Sequence, residues 1–547
     1  MLFNSAIFIL GFLPVSWIGF FALGGSGHRK LAVAWLTLAS LFFYSWWNPT
    51  YLPLLLASMS ANYLFGRLLV RHQHRSLLFF GVAANLALLG YYKYAGFFVT
   101  TMNSAFDTLF PIPEIGLPLA ISFFTFQQIA FLVDSYDGTA EETSFVNYSM
   151  FITFFPHLIA GPITHHKEML PQFEDNRLFR PQLDLMSLGL TLFALGLCKK
   201  VLLADCIAQW VRPAFDASDA GTALTLFEAW AASTGYALQI YFDFSGYTDM
   251  AIGLGMLFGI RLPINFNSPY KARNIIEFWS RWHMTLTRFL TAYVYNPTSM
   301  SLTRLRMQRG KPGLRRGKTT REAFLVLVAV PTVFTMTLSG LWHGAGWQFI
   351  AFGVLHGTYI AVNQGWHMLK ARWGLPQDSG RPLAHSVSVL TTFACVIVAL
   401  VFFRSAKVGS ALNMLAGIVG AHGAVLPQEY ALPFPGVYFL ARLLHVKFAG
   451  YEMLSQVELP PTEVLFIAFL LAIVWLLPNT HQWLGRFETG LGTRSDSQSP
   501  GQRRSLLGSI PTWQPKVTYG VLVGCLSFIA LMRALSAAPS EFLYFKF

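Results

Sequence analysis

Three stretches place ionisable and hydroxyl side chains inside apolar runs, where a polar group is costly and marks a site of function. Residues 338–347 hold His343 among Gly340, Gly344 and Gly346, with Trp342 and Trp347 on either side. Histidine titrates near working pH, so it can take a proton from a hydroxyl and return it, as acyl transfer requires. The glycines let backbone or substrate approach the ring. Ser339, four residues earlier, is placed to accept a hydrogen bond from it. The competing reading of His343 is a packed, satisfied core histidine.

The second stretch, 265–285, carries Glu277, Trp279, Arg281 and His283. A helix is expected to start near Asn274, with Glu277 three residues on as in a capping box. Glu277 and Arg281 are spaced i,i+4 for an ion pair, and Trp279 and His283 share a helix face at the same spacing. An interfacial amphipathic helix with belt tryptophans explains the same pattern. The third stretch is 241–250, with Asp243, Ser245, Tyr247 and Asp249. The two aspartates lie six apart, about 240° around a helix, so they form no carboxylate dyad. They either pair with cations or line a polar passage, and Gly246 permits a helix break between them. His165, His166 and Glu168 suggest a metal site. Adjacent histidines on one helix cannot turn both rings to one ligand position, so no metal is expected there. No Ser-His-Asp order, G-x-S-x-G or P-loop appears.

The elements that position these residues follow from composition. Of 547 residues, 54% are hydrophobic and only 12% charged, about half the charged share of a soluble domain. That charge cannot clothe a water-soluble globule, and the apolar content excludes disorder. Four cysteines without a C-x-x-C pair exclude a disulfide scaffold and read as packing residues. The fold class is an all-α polytopic membrane protein, with 11 to 14 membrane helices, some short or re-entrant, in one domain over 1–547. Residues 222–242 and 246–260 read as separate spans. The net charge of +13 gathers between apolar runs, at 28–30, 71–75, 301–321 and 503–504. That is the positive-inside pattern rather than a nucleic-acid footprint, and it puts the amino terminus outside. The loop 301–321 contains Arg304, Arg306, Arg315 and Arg316 and no acid. It suits either anionic headgroups or a phosphate-rich donor. Residues 490–515 read as a flexible connector. An ion-coupled transporter using Asp243 and Asp249 is a second reading, but the repeated halves common in transporters are absent from the sequence.

Taken in order along the chain, these motifs resemble the membrane-bound O-acyltransferase family, and within it the bacterial branch that contains the membrane subunit of alginate O-acetylation. The resemblance rests on Ser122–Gln128, Phe154–Ile163, Tyr241–Asp249, Glu277–His283 and Gly340–Ala345. It also rests on Phe402–Ser405, Leu477–Thr480 and Phe542–Phe545. Each motif is weak alone; the ordered set is specific. The resemblance implies a central tunnel, His343 as the catalytic histidine and His283 as a second one. It implies that Asp243, Ser245, Tyr247 and Asp249 shape the tunnel wall, beside Glu277, Trp279, Arg281 and Trp342. It implies no bound cofactor, acetyl-CoA as co-substrate on the cytoplasmic side, and acetyl transfer to an extracytoplasmic polysaccharide from the bacterial inner membrane. A periplasmic SGNH-hydrolase-like acetyltransferase or other polysaccharide machinery is the implied partner, and D-alanyl transfer to teichoic acid is the related alternative. Where the alginate branch has a short Gly-Gly-Asn-Arg loop, this chain has the long basic loop 301–321, so other glycan acceptors are equally open.

Overall fold

The computed structural model describes residues 1–140, 144–314, 319–376, 380–430, 443, 446–449, 459–485, 487, 489–491, 512–536 and 540–543. Arg315 and Arg316, and residues 492–511 of the expected connector, lie outside them. Among the described residues the only strand ladder is Val425–Pro427 beside Lys447–Ala449, parallel and three residues long.

Helices α1 (Ile7–Gly25), α2 (Arg29–Ser45), α3 (Pro49–His72) and α4 (Arg75–Phe106) are joined by short turns. Short turns return successive helices antiparallel. Arg29 and Lys30 at the start of α2, and Arg71 and Arg75 at the α3–α4 turn, therefore gather at one end, here called the basic end. Helix α4 continues to Phe106 through a π-turn at Gly90–Tyr94, so of the ambiguous stretch 96–112 residues 96–106 are helix and 107–112 are not. Next come α5 (Ile121–Tyr136), α6 (Phe145–Thr153), α7 (His166–Glu174) and α8 (Leu183–Cys198). A π-turn at Lys199–Ala204 links α8 to α9 (Asp205–Asp219), and α10 runs from Leu226 to Leu257.

The two spans expected over 222–260 are thus one helix of 32 residues. Gly246 does not break it. A Cβ on Gly246 would stand 2.8 Å from the Gly196 carbonyl oxygen, and one on Gly196 would stand 2.5 Å from that of Gly246. Gly189 and Gly253 face each other in the same way, at 2.7 and 2.5 Å. The glycines sit seven residues, about two turns, apart on each helix, so α8 and α10 meet backbone to backbone.

The remaining helices are α11 (Ile275–Trp279), α12 (Met284–Leu290), α13 (Asn296–Gln308), α14 (Arg321–His343), α15 (Trp347–Arg372), α16 (Pro382–Arg404), α17 (Val408–Ile418), α18 (Pro461–Leu476) and α19 (Val517–Ser536). Six of the described helices are long and apolar enough to cross a membrane alone: α1, α3, α4, α14, α16 and α19. Other expected stretches are helical as well: α2, α10 and α15 run 17, 32 and 26 residues, while 146–164 turns at Phe154–Gly161 and 222–260 is one element. The chain is an all-α polytopic membrane protein.

Candidate active site

His343 is the last residue of α14, and the backbone becomes extended at Gly344. The residue is 5% exposed, and its ring packs against Trp342, Phe403 and Phe352, with centroids 4.9, 5.2 and 6.0 Å away. A Cβ on Gly340 would stand 2.1 Å from the Phe349 carbonyl oxygen, so glycine there lets α15 fold back closely on α14. Ser339 is fully buried, yet its hydroxyl makes no hydrogen bond, so the expected Ser339–His343 bond is not formed.

His283 meets His343 with ring centroids 6.5 Å apart. The continuous helix expected through this region is interrupted. Helix α11 stops at Trp279, and His283 adopts a left-handed φ of 44° before α12 begins. Tertiary backbone bonds account for the break: Asn267 N–H donates to Arg281 O at 2.9 Å, and Met284 N–H donates to Asn265 O at 3.0 Å. Trp279 and His283 therefore do not share one helix face. Asn274 caps α11 through Glu277 N–H at 2.9 Å, and Arg281 donates to Glu277 at 2.7 Å, both as expected.

Asn265 Oδ1 accepts from Thr285 N–H at 3.3 Å and lies 3.0 Å from His283 Nδ1. A backbone N–H can only donate, so the atom facing it is the amide oxygen, and His283 Nδ1 must then carry its proton. In the neutral ring, Nε2 is the basic nitrogen.

A cavity of about 130 Å³ reaches His343. Trp47, Lys93, Ser122, Ile159 and Trp342 are among its walls. Trp47 belongs to the α2–α3 turn, opposite the basic end. Lys93 follows Arg75 by eighteen residues, about 27 Å along α4 and close to the thickness of a hydrocarbon core. Its ammonium donates to the carbonyls of Trp342 (2.5 Å) and His343 (3.3 Å) and to Ser122 Oγ (3.2 Å). It thus satisfies the carbonyl end of α14 beneath the histidine.

The aspartates of α10 hold buried cations. Lys200 Nζ lies 2.7 Å from Asp243 and 2.8 Å from Asp205. Lys199 Nζ lies 2.7 Å from Asp249, which also accepts from Thr480 at 2.6 Å and contacts His481 at 3.2 Å. Asp243 accepts from Leu543 N–H at 2.9 Å, and Lys200 donates to Glu541 O at 3.0 Å. Tyr247 packs between Phe3 and Phe542, with centroids 4.9 and 4.4 Å away. Ser245 is buried on the same helix. This face therefore clasps the carboxyl-terminal segment.

Part of the expected basic loop is helix α13. Arg304 is exposed, whereas Arg306 is buried, 3.1 Å from Glu322 and 2.8 Å from Pro312 O, and so is committed within the fold. Sequence reasoning missed Lys93, Lys199, Lys200, Asn265 and His356. Trp279 Nε1 donates to His356 Nδ1 at 3.2 Å.

Residues 140–308 match the sequence model of the MBOAT, membrane-bound O-acyltransferase, family. A peptidoglycan O-acetyltransferase of Helicobacter pylori is 40% identical over 456 residues, 78% of this chain and 81% of that protein. The chain belongs to the membrane-bound O-acyltransferase family. A probable alginate O-acetylase AlgI of Pseudomonas putida is 32% identical over the whole length of both proteins. A teichoic acid D-alanyltransferase of Streptococcus thermophilus is 28% identical over 45% of this chain and 57% of that one. As a membrane-bound O-acyltransferase the chain is an enzyme, an acyltransferase. His283 and both α10 aspartates fall inside the matched region, and His343 follows it.

Proposed function

We propose that this acyltransferase moves an acetyl group from a cytoplasmic donor, acetyl-CoA, to hydroxyls of an extracytoplasmic polysaccharide, with His343 and His283 as its catalytic pair. One observation carries the reading: two buried imidazoles converge where a cavity from the end opposite the basic clusters reaches His343. The positive-inside rule makes the basic end cytoplasmic, so the histidines lie toward the outer face. The bacterial inner membrane is the location this implies. The acetylating relatives, peptidoglycan and alginate enzymes by name, favour acetyl and a glycan over D-alanine.

In the proposed step an acceptor oxygen attacks the acetyl carbonyl carbon. The hydroxyl proton passes to an imidazole nitrogen, the carbon–sulfur bond breaks, and the thiolate leaves with a proton. The hydroxyl belongs either to the glycan or to a periplasmic SGNH-hydrolase-like partner that completes the transfer. Of the described arginines proposed for donor contact Arg304 is exposed, and Arg315 and Arg316 belong to the same basic segment of the sequence. No resident cofactor enters the scheme.

The test replaces His343 by alanine in a strain deleted for the native gene. Base-released acetate from surface glycan should disappear while the protein level in the membrane fraction stays the same. Glycan acetylation that persisted at the native level would refute the assignment, and D-alanine released in place of acetate would move the donor to the alternative class.

A further inference from the structure

A cluster away from the two histidines joins three elements at the basic end. Asp134 is near the end of α5, His165 and His166 stand at the start of α7, and Tyr293 lies in the π-turn Thr291–Tyr295 after α12. Asp134 Oδ2 lies 2.9 Å from His165 Nε2, 2.8 Å from His166 Nε2 and 2.9 Å from the Tyr293 hydroxyl. His165 Nε2 is also 2.5 Å from that hydroxyl. Position at the basic end follows from Tyr136, two residues beyond Asp134, whose hydroxyl accepts from Arg75 Nε at 3.3 Å.

The objection that adjacent histidines cannot share a ligand position holds only if both are helical. His165 is not. It has φ −101° and ψ 141°, the extended conformation of an N-cap, and the helix begins at His166. The break swings the two side chains out of helical phase, and both Nε2 atoms reach one oxygen. Glu168 is not part of the set. Its carboxylate accepts from His165 N–H at 3.3 Å and from Arg288 at 2.5 and 2.9 Å.

We propose that Asp134, His165, His166 and Tyr293 bind one divalent transition-metal ion of the zinc type. Two imidazole nitrogens, a carboxylate oxygen and a phenol oxygen are a four-ligand set of mixed nitrogen and oxygen donors, which zinc accepts tetrahedrally. The ligand atoms of Asp134, His165 and His166 lie within 4.8 Å of one another. His166 is 3% exposed and packs edge-on to Phe131, which gives the site an apolar wall, while His165 is 24% exposed and offers the entry path. Coordination displaces the protons shared among the four groups; they shift to imidazole Nδ1 or leave to solvent. With four protein ligands the site is structural. Its reach is nevertheless toward the histidines. Phe126, two turns before Asp134 on α5, stacks on Trp342 and on Phe289 of α12, with centroids 5.2 and 4.5 Å away. The ion would pin α5, which presses on Trp342, to α12, which presses on Phe126.

The test uses the full-length protein in detergent, stripped with chelator and titrated with zinc chloride alone. One equivalent should bind, raise the thermal midpoint, and give the visible d–d bands of four-coordinate Co2+ when cobalt is used instead. His165→Ala, His166→Ala and Asp134→Asn should each weaken binding by more than the roughly tenfold to hundredfold that losing an outer-shell partner costs. Asp134→Asn is nearly isosteric, so it serves where an alanine variant fails to fold. The proposal is overturned if the wild-type chain takes up less than one equivalent, if Asp134→Asn binds zinc as the native chain does, or if replacing the exposed His72 and His74 removes the bound metal.

Discussion

Asn265 decides which nitrogen of His283 is basic, because Thr285 N–H fixes the amide oxygen toward the ring. Asn265→Ala removes that acceptor and leaves the imidazole free to turn or to change tautomer. Turnover should fall by roughly tenfold to a hundredfold, part of what a positioned proton-transfer group contributes, with KM nearly unchanged. Asn265→Asp keeps an acceptor and should recover much of the rate in the same initial-rate assay; equal rates in all three proteins would remove Asn265 from the mechanism. The histidines themselves were legible in the sequence because a titratable ring in an apolar run is expensive. Lys93 was not. The expected span ended at residue 95, where a lysine reads as an interfacial residue with its head in water. Only the continuation of α4 to Phe106 puts it inside. His356 was hidden for a different reason: its partner, Trp279, is 77 residues away in sequence.

At the scale of elements, the close approach of α8 and α10 depends on glycines that local reading takes for breaks. Gly196→Ala places a methyl 2.5 Å from a backbone oxygen, which no rotamer change relieves. Overpacking of this kind costs about 1–3 kcal/mol, so thermal unfolding in detergent should begin at a lower temperature. Gly11→Ala, with nothing within 4 Å of its Cβ, should leave the midpoint unchanged or raise it. Equal effects of the two substitutions would mean that the contact does not limit stability. The caps and ion pairs of α11 were readable because they are local, from Asn274 to Arg281. The break at His283 was not, since the bonds that cause it come from residues 265–267, and periodicity carries no record of distant backbone partners. The class of fold was plain from composition. The merging of 222–260 into one helix was not, because a glycine packed against a neighbouring backbone looks in sequence like one that breaks a helix.

For the whole molecule, segments far apart in sequence, residues 3–4 and 540–543, meet at Tyr247 of α10. Phe3 from the first residues and Phe542 from the last pack on either side of Tyr247, and Asn4 donates to Ser540 O at 3.3 Å. The last described residues also complete the hydrogen bonding of Asp243, Lys200 and Asp205. A chain ending at Ser536 loses those partners and exposes a buried ion pair to imperfect solvation. Disturbing a buried pair costs on the order of 3–5 kcal/mol when a partner is removed outright, and losing the backbone partners should cost a fraction of that. Limited proteolysis of membranes should cut the shortened protein faster than the full chain, at equal synthesis. An unchanged digestion rate would show that the clasp adds no stability.

That clasp also sets an order of events during synthesis. Residues 199–249 enter the membrane long before residues 540–543 are made, and at about 5–20 residues per second the delay is on the order of tens of seconds. Through that interval the central lysines and aspartates have each other but not their final partners. Synthesis that stops before residue 540 therefore leaves the middle of the protein, rather than only its end, without its final partners.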